Sequence, residues 1–516
     1  MSGARDAHIE RELKCDVGLE VELPAFEGLS VSAPREVELV ATYWDTDDFA
    51  LLYWGCSLRF RTSIPAGDAA ATVSADTAGG QTGIDGKWTL KFPAAIADGD
   101  LLARHELSVS GSPEEPPEKL LELLHTVVMG TALHPVAVLT TERTIVDIAG
   151  PDGGPGVQVT DDRVRSEVDG GAGPEFREVE VEMTSELGVE TLGQVRRMLE
   201  DSGVRPTHKR SKIARVLDMP RARTGSPKRL RRDATVRDFL AATMSASTWQ
   251  LIVHDPAVRL GADIDAIHQA RVATRRLRSD LKTFAPLMSG DTVAQLRGEL
   301  AWIGAILGDI RDPQVLRLHL DEQAQALGAE AGGSLSCVTE ALASRAEFHH
   351  GRVVSAMGGD RYRALVAELL WLSNDPPVVS AKLGSKSAER VVGRIVRRQW
   401  KRARRAIRST GPHATDQELH QIRKRLKRVR YAAQSARTLD IGSKAFRRHL
   451  AAIQDELGEL NDLRTATAYL SADIAHLDPN TAFLVGRLVE RIAARSDMIR
   501  SEWPDNARRL TRLDLD

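Results

Sequence analysis

Glu178-Val179-Glu180-Val181-Glu182 and, far upstream, Glu10-Arg11-Glu12-Leu13-Lys14 carry charge at every second position. Side chains alternate across a β-strand, so the three glutamates share one face and the valines the other, and Glu10, Glu12 and Lys14 likewise share a face. Working outward, alternating runs recur at Val37–Trp44, Ser57–Thr62, Lys87–Phe92, Glu106–Val109, Thr141–Ile148 and Val157–Asp161. These predict strands of a mostly antiparallel sheet, flanked by helices at Pro117–Met129 and Thr191–Ser202. Cations sit on the same runs at Arg59, Arg61, Lys91 and Arg143, with Arg104, Lys209 and Lys212 nearby. One strand with a charged face is an ordinary solvated strand. Charge at period two on nearly every strand of one domain predicts instead a closed barrel with a charged lumen. There, Arg and Lys would grip phosphate oxygens, and carboxylates would hold Mg²⁺ or Mn²⁺. The Ala/Gly/Asp-rich Pro65–Gly86 and the Gly/Pro-rich Gly150–Gly156 read as exposed loops.

The chain has 516 residues, 42% of them hydrophobic, enough to bury more than one core. Its net charge of −2 hides an asymmetry. Residues 1–220 carry 21 Lys/Arg against 38 Asp/Glu, a net −17, which leaves 49 against 34, a net +15, for the remainder. An acidic part suits metal ions and a basic one suits polyanions. Cys15, Cys56 and Cys337 form neither a disulfide framework nor a zinc pattern, and the N-terminus lacks a signal-peptide core. These features predict a cytoplasmic protein.

Beyond the polar, basic linker Met219–Ala234 the pattern changes to long segments of 3.6-residue period, an all-helical domain. It contains an internal repeat. His268-Gln-Ala-Arg271-Val-Ala-Thr-Arg275-Arg276-Leu-Arg278 recurs 152 residues later as His420-Gln-Ile-Arg423-Lys424-Arg425-Leu-Lys427-Arg428-Val-Arg430. Leu307-Gly308-Asp309-Ile310-Arg311-Asp312 recurs after 150 residues as Leu457-Gly458-Glu459-Leu460-Asn461-Asp462. Two elements repeating in order at nearly one offset predict a duplicated helical bundle. His268, Arg271, Arg275 and Arg278 share a helix face, as do His420, Arg423, Lys427 and Arg430. Residues 394–430 hold fourteen Lys/Arg against Asp416 and Glu418. Such crowding destabilises an isolated helix and calls for an anionic ligand. Aromatics make up 4% of the chain and do not interleave with these stripes, which argues against nucleic acid. The stripes also lack the Trp/Phe-rich opposite face of a membrane-surface helix.

The set Glu10-x-Glu12-x-Lys14, Tyr43-Trp44-Asp45-Thr46, Leu58-Arg59-x-Arg61, Thr89-Leu90-Lys91, Arg104-x-Glu106, Thr141-Glu142-Arg143, the Asp161 region, Glu178/Glu180/Glu182 and Ser211-Lys212 resembles the CYTH, or triphosphate tunnel metalloenzyme, superfamily. The resemblance spans about 200 residues and implies an eight-stranded antiparallel β-tunnel barrel with flanking helices. It implies catalytic Glu10, Glu12, Lys14 and Asp161, the last favoured over Asp162. It implies metal ligation by Glu10, Glu12, Glu178, Glu180 and Glu182, and a phosphate grip from Lys14, Arg59, Arg61, Lys91, Arg104, Arg143, Lys209 and Lys212. Ile213 stands where the family often has an aromatic residue. The downstream half resembles the CHAD domain, a duplicated helical bundle associated with inorganic polyphosphate, and the matching residues are the two His/Arg stripes.

The expected organisation is therefore multidomain α+β: a tunnel over 1–218, a linker over 219–234, and an all-α domain over 235–512 with repeats at about 235–375 and 385–512. The expected function is a metal-dependent triphosphatase cleaving inorganic triphosphate or a nucleoside triphosphate, with polyphosphate held by the helical domain. A non-catalytic polyphosphate adaptor and an adenylyl cyclase using the same tunnel are the alternatives.

Overall fold

The computed structural model describes residues 7–65, 86–94, 101–185, 188–207, 211–219, 229–261, 263–326, 336–411, 414–472 and 477–515. The chain forms two compact units, Met1–Thr224 with Ile252–Ala266, and Gly225–Leu251 with Ile267–Asp516.

The first unit contains nine strands: β1 (Ala7–Val17), β2 (Arg35–Asp45), β3 (Ser57–Pro65), β4 (Gly86–Pro93), β5 (Leu102–Ser110), β6 (His134–Ala149), β7 (Pro155–Val168), β8 (Gly171–Ala172) and β9 (Phe176–Met183). Their order is β6-β2-β3-β4-β5-β1-β9-β7, and β6 also pairs with β7, so eight antiparallel strands close into a barrel with the two-residue β8 appended. Helices α1 (Ala50–Tyr53), α2 (Glu118–Val128), α3 (Val189–Asp201) and α4 (Lys212–Val216) accompany it.

Alternation buries both faces of the wall. Leu13, Cys15 and Val17 of β1, with Val179 and Val181 of β9, point outward and pack with Leu192, Val195 and Leu199 of α3. Each such buried aliphatic side chain contributes about 1.5–3 kcal/mol, and the opposite parity is thereby committed to the lumen. Side-chain bonds set the starts of two helices. The buried Asp45 carboxylate accepts the N–H groups of Thr46, Leu51 and Leu52 at 2.8, 2.8 and 3.1 Å, holding α1 after β2. Ser211 Oγ accepts from Ala214 N–H, starting α4 at Lys212.

The segment Ile252–Ala266 follows the linker in sequence yet belongs to this unit. His105 on the outer side of β5 lies 3.2 Å from Asp263 Oδ2, and Arg259 bonds the carbonyl of Glu122.

The second unit is helical, built from α5 (Val236–Val253), α6 (Asp255–Leu260, with the barrel), α7 (Ile264–Thr283), α8 (Gly290–Gln325), α9 (Ser336–Gly358), α10 (Asp360–Asn374), α11 (Ala381–Gly384), α12 (Ala388–Ser409), α13 (Asp416–Ser435), α14 (Lys444–Ala472) and α15 (Pro479–Arg512). The duplication is visible in three dimensions: the two His/Arg motifs lie on α7 and α13, and their companions on α8 and α14. A Thr415/Glu418 capping box starts α13. Leu419, Ile422, Leu426 and Val429 form its buried row, and Trp400 of α12 meets Phe446 of α14 edge-on at 5.1 Å. Among the described residues no helix is long and apolar enough to cross a membrane.

Candidate functional site

The lumen is a polar cavity of about 230 Å³. Glu10, Glu12, Glu106, Glu180 and Glu182 form its acidic lining. Its cations are Lys14, Arg59, Arg61, Lys91, Arg104, Arg143 and Lys212. Strand register sets charge against charge: Lys14 lies opposite Glu180 and Glu12 opposite Glu182, Lys91 opposite Glu106, and Arg143 opposite Asp162.

At one end the cations are saturated. Lys212 lies 2.9 Å from Asp162, 2.6 Å from Glu178 and 2.8 Å from Glu180. Arg143 grips Asp162 with two parallel bonds of 2.7 and 2.6 Å and reaches Glu180 at 3.1 Å. Lys14 pairs with Glu180 and lies 3.3 Å from Glu12. Burial opposes charge on every member, yet the carboxylates hold Lys14, Lys212 and Arg143 above their ordinary values. Against the same burial, the cations hold Glu180 well below the usual carboxylate range.

Toward the other side the lumen separates into an acidic and a basic wall. Lys91 bridges Glu10 and Glu106, 2.9 Å from the latter. Burial would raise Glu106, but Lys91, Arg59 and Arg61 hold it down at about 2. Glu182 has no ion-pair partner among the described residues, and burial together with the Glu10 charge pushes it up to about 7. Glu12 is raised too, by burial and by Glu180 and Glu10, with Lys14 opposing. Opposite them, Arg59 bonds only the Tyr43 hydroxyl, at 3.2 Å. Among the described residues Arg61 has no carboxylate partner, and it is lowered to about 10 by Arg59 and by burial.

Crowded carboxylates, with Glu182 lacking a cation among the described residues, opposite guanidinia that lack a carboxylate there, are suited to a bound cation and a bound anion. An all-oxygen donor set fits a hard ion such as Mg²⁺ or Mn²⁺, and the raised Glu12 and Glu182 show where such an ion would relieve repulsion. Asp162, Glu178 and Glu180 also bring ligand oxygens within 4.8 Å of one another. That trio already holds Lys14, Lys212 and Arg143, whereas on the Glu10/Glu12/Glu182 wall Glu182 pairs with no cation among the described residues.

In the helical unit the two stripes converge. Arg275 of α7 donates to Tyr431 Oη of α13 at 2.9 Å. Burial, then Arg423, Arg275 and Arg430 lower Lys427 to about 8, with Asp462 opposing. The companion motifs supply matched acids, Asp312 at 2.6 Å from Arg271 and Asp462 facing Arg423. Partial burial, Lys424, Arg464 and Arg423 hold His420 below the usual histidine range against its bond to Asn461.

The CYTH-domain family model matches residues 8–215, and the CHAD-domain family model matches residues 242–471. The chain is a CYTH domain followed by a CHAD domain. Uncharacterized proteins of two Mycobacterium tuberculosis strains are each 28% identical, over 98% of this chain and 96% of theirs. Among solved structures, the CHAD domain of the plant Ricinus communis is 24% identical, covering 57% of this chain and 97% of that one at a TM-score of 0.46. A candidate adenylyl cyclase from Hippeastrum with a dominant triphosphatase activity is 16% identical, covering 40% of this chain and 95% of that one at a TM-score of 0.24.

In the CYTH lumen the structure brings together Glu10, Glu12, Lys14, Arg59, Arg61, Lys91, Arg104, Arg143, Glu180, Glu182 and Lys212. Arg104 also donates to the Gly55 carbonyl at 2.8 Å. Glu178 does not border the cavity; it is 3% exposed and lies behind Lys212. Asp161 is a correction. Its side chain has the outward parity and pairs with Arg177 at 2.8 and 2.7 Å, while Asp162, fully buried, takes the inward position beside Arg143 and Lys212. Lys209 lies outside the described residues. Sequence reasoning missed His8, Tyr43, Glu106, Gln158 and Thr160 as lining residues. Strand parity was the available signal: His8 continues the Glu10/Glu12/Lys14 row, and Gln158 and Thr160 lead to Asp162. On CHAD, Arg275, Arg423 and Lys427 come together, and His420 lines a small pocket with Arg423, Asn461 and Arg464.

Proposed function

We propose that the CYTH tunnel, over residues 1–218, is a metal-dependent triphosphatase that hydrolyses a phosphoanhydride of inorganic triphosphate or a nucleoside triphosphate, and that the CHAD stripes over 235–512 bind inorganic polyphosphate. The observation that carries the first part is that, among the described residues, Arg59 and Arg61 have no carboxylate partner and face a wall on which Glu182 has no cation partner, across one cavity. Arg59, Arg61, Arg104 and Arg143 hold the phosphate oxygens by charge-assisted bonds. Lys14, Lys91 and Lys212 supply further positive charge where the leaving group develops negative charge. Glu10, Glu12 and Glu182, with Glu180 beside them, would hold Mg²⁺ or Mn²⁺, which would supply charge neutralisation to the phosphate tail. A carboxylate of this wall that the metal leaves free accepts a proton from the attacking water. Asp162 orients Arg143 and Lys212. The reading is tested by incubating the full chain with inorganic triphosphate and, separately, with ATP, each with Mg²⁺ or Mn²⁺, and separating the products. Free phosphate and ADP are expected, whereas cyclic AMP with pyrophosphate would replace this reading by a cyclase, and no product with retained polyphosphate binding would leave an adaptor.

A further inference from the structure

The CHAD unit holds a second basic concavity that its duplication does not explain. Between α12 and α13 lies a cavity of about 370 Å³. Arg402 and Arg405 enter it from α12, Arg425 and Arg428 from α13, and among the described residues no carboxylate lines it. Among the described residues none of the four has an ion pair, unlike Arg361 with Glu299 or Arg495 with Glu459 on neighbouring helices. Like charges three residues apart, in both helices, oppose helix formation unless an anion lies between them. Their field reaches further, since Arg428, ahead of partial burial, Arg297 and Arg278, lowers the Lys282 ammonium.

This cavity is not the His/Arg stripe. At 3.6 residues per turn, His420, Arg423, Lys427 and Arg430 lie on one flank of the buried row Leu419, Ile422, Leu426 and Val429, and Arg425 and Arg428 lie on the other. The repeat separates the two features independently. At the 152-residue offset all four stripe positions stay cationic or histidine, as His268, Arg271, Arg275 and Arg278. The cavity's arginines correspond to Gln250, Val253, Ala273 and Arg276, and Arg276 lies 3.9 Å from Asp280 instead. The second copy alone carries the arginine cluster.

We propose that this cavity is a separate anion site that takes a short run of phosphates. Paired guanidinium forks match tetrahedral phosphate oxygens. No aromatic side chain lines the site, so a base has no stacking platform, and its concavity suits a compact ligand rather than a flat lipid surface. A polyphosphate long enough to occupy both the stripe and this cavity gains from the second, intramolecular contact, so binding tightens with chain length.

The test is arginine labelling of the full chain with phenylglyoxal, read peptide by peptide by mass spectrometry, with and without medium-chain inorganic polyphosphate. The wild-type chain is compared with Arg423→Gln/Lys427→Gln. Several-fold protection of Arg402, Arg405 and Arg425 is expected in both chains. Unchanged labelling there, or protection lost with the stripe variant, overturns the proposal. Equal protection by an oligonucleotide at the same phosphate concentration also overturns it. Should the variant not fold, wild-type labelling with inorganic triphosphate, too short to span both sites, decides: Arg423 protected while these three arginines stay unprotected at every concentration would refute a separate site.

Discussion

Replacing Lys212 by methionine removes the ammonium that serves Asp162, Glu178 and Glu180 at 2.6–2.9 Å in a side chain only 9% exposed. Lys14 and Arg143 remain, but three buried carboxylates then share two cations. Breaking a buried ion pair from one side costs about 3–5 kcal/mol, against less than about 1 kcal/mol for an exposed one. The pH dependence follows from the same geometry. In the wild type, burial is outweighed by Lys212 and its neighbours, so Asp162 and Glu180 lie below their unfolded values. Their contribution is present above the unfolded carboxylate range and is lost as pH falls through the folded values. Without Lys212 the folded values rise, so the penalty is largest at neutral pH and shrinks toward pH of about 4, where protonated carboxyls need no cation. Hydrogen exchange on β1, β7 and β9 peptides of the full chain reads the barrel apart from the helices. Protection in those strands falls by roughly two to four orders of magnitude at pH 7 and by clearly less in acid. A loss under tenfold at pH 7, or the same loss at both pH values, would refute the buried-network argument.

Three further outcomes follow. Arg61→Ala, which breaks no carboxylate pair, leaves the melting temperature unchanged or higher but weakens triphosphate binding by about 10- to 150-fold, the loss of one charged hydrogen-bonding group at about 1.5–3 kcal/mol; a drop in thermal stability with unchanged affinity would contradict it. Asp162→Asn abolishes turnover and destabilises the barrel, whereas Asp161→Asn, on the outer face, preserves most activity in the same phosphate-release assay; the reverse ranking would restore Asp161 to the lumen. Burial, against Arg276 and Ser435, raises Asp280 to about 7, so its contribution is full below the unfolded value of 3.8 and is lost as pH rises toward 7. Urea denaturation of Asp280→Asn therefore shows a helical unit more stable than wild type at pH 8 by up to a few kcal/mol, with the gain vanishing near pH 4.

The barrel was legible because each wall strand advertises two buried faces, apolar outward and charged inward, as Leu13/Cys15 and Glu12/Lys14 do. Period two then gives the lumen face without reference to tertiary structure. Asp161 and Asp162 defeated that rule since Asp161-Asp162-Arg163-Val164-Arg165 puts charge on both parities. Only the cross-strand register, Asp162 against both Arg143 and Glu178, decides it. Glu178 has the lumen parity of Glu180 and Glu182, but Lys212, delivered from a helix thirty-odd residues on, screens it from the cavity. The Ile252–Ala266 excursion was hidden for a related reason: its apolar pattern is that of any helix, and the partner that draws it to the barrel is His105, a histidine on the outer face of β5. The cationic stripes were legible from spacing and repetition, whereas the cavity between α12 and α13 required the helices to be placed side by side.

The central claim is tested most directly by following the full chain with inorganic triphosphate and Mg²⁺ by phosphorus NMR, beside Glu12→Gln and the CHAD stripe variant Arg423→Gln/Lys427→Gln. Equal amounts of phosphate and pyrophosphate should appear with wild type and with the stripe variant, stop on chelation, and be absent with Glu12→Gln. Turnover that persists in Glu12→Gln, or no turnover by wild type in either Mg²⁺ or Mn²⁺, would contradict the assignment of the tunnel as a triphosphatase.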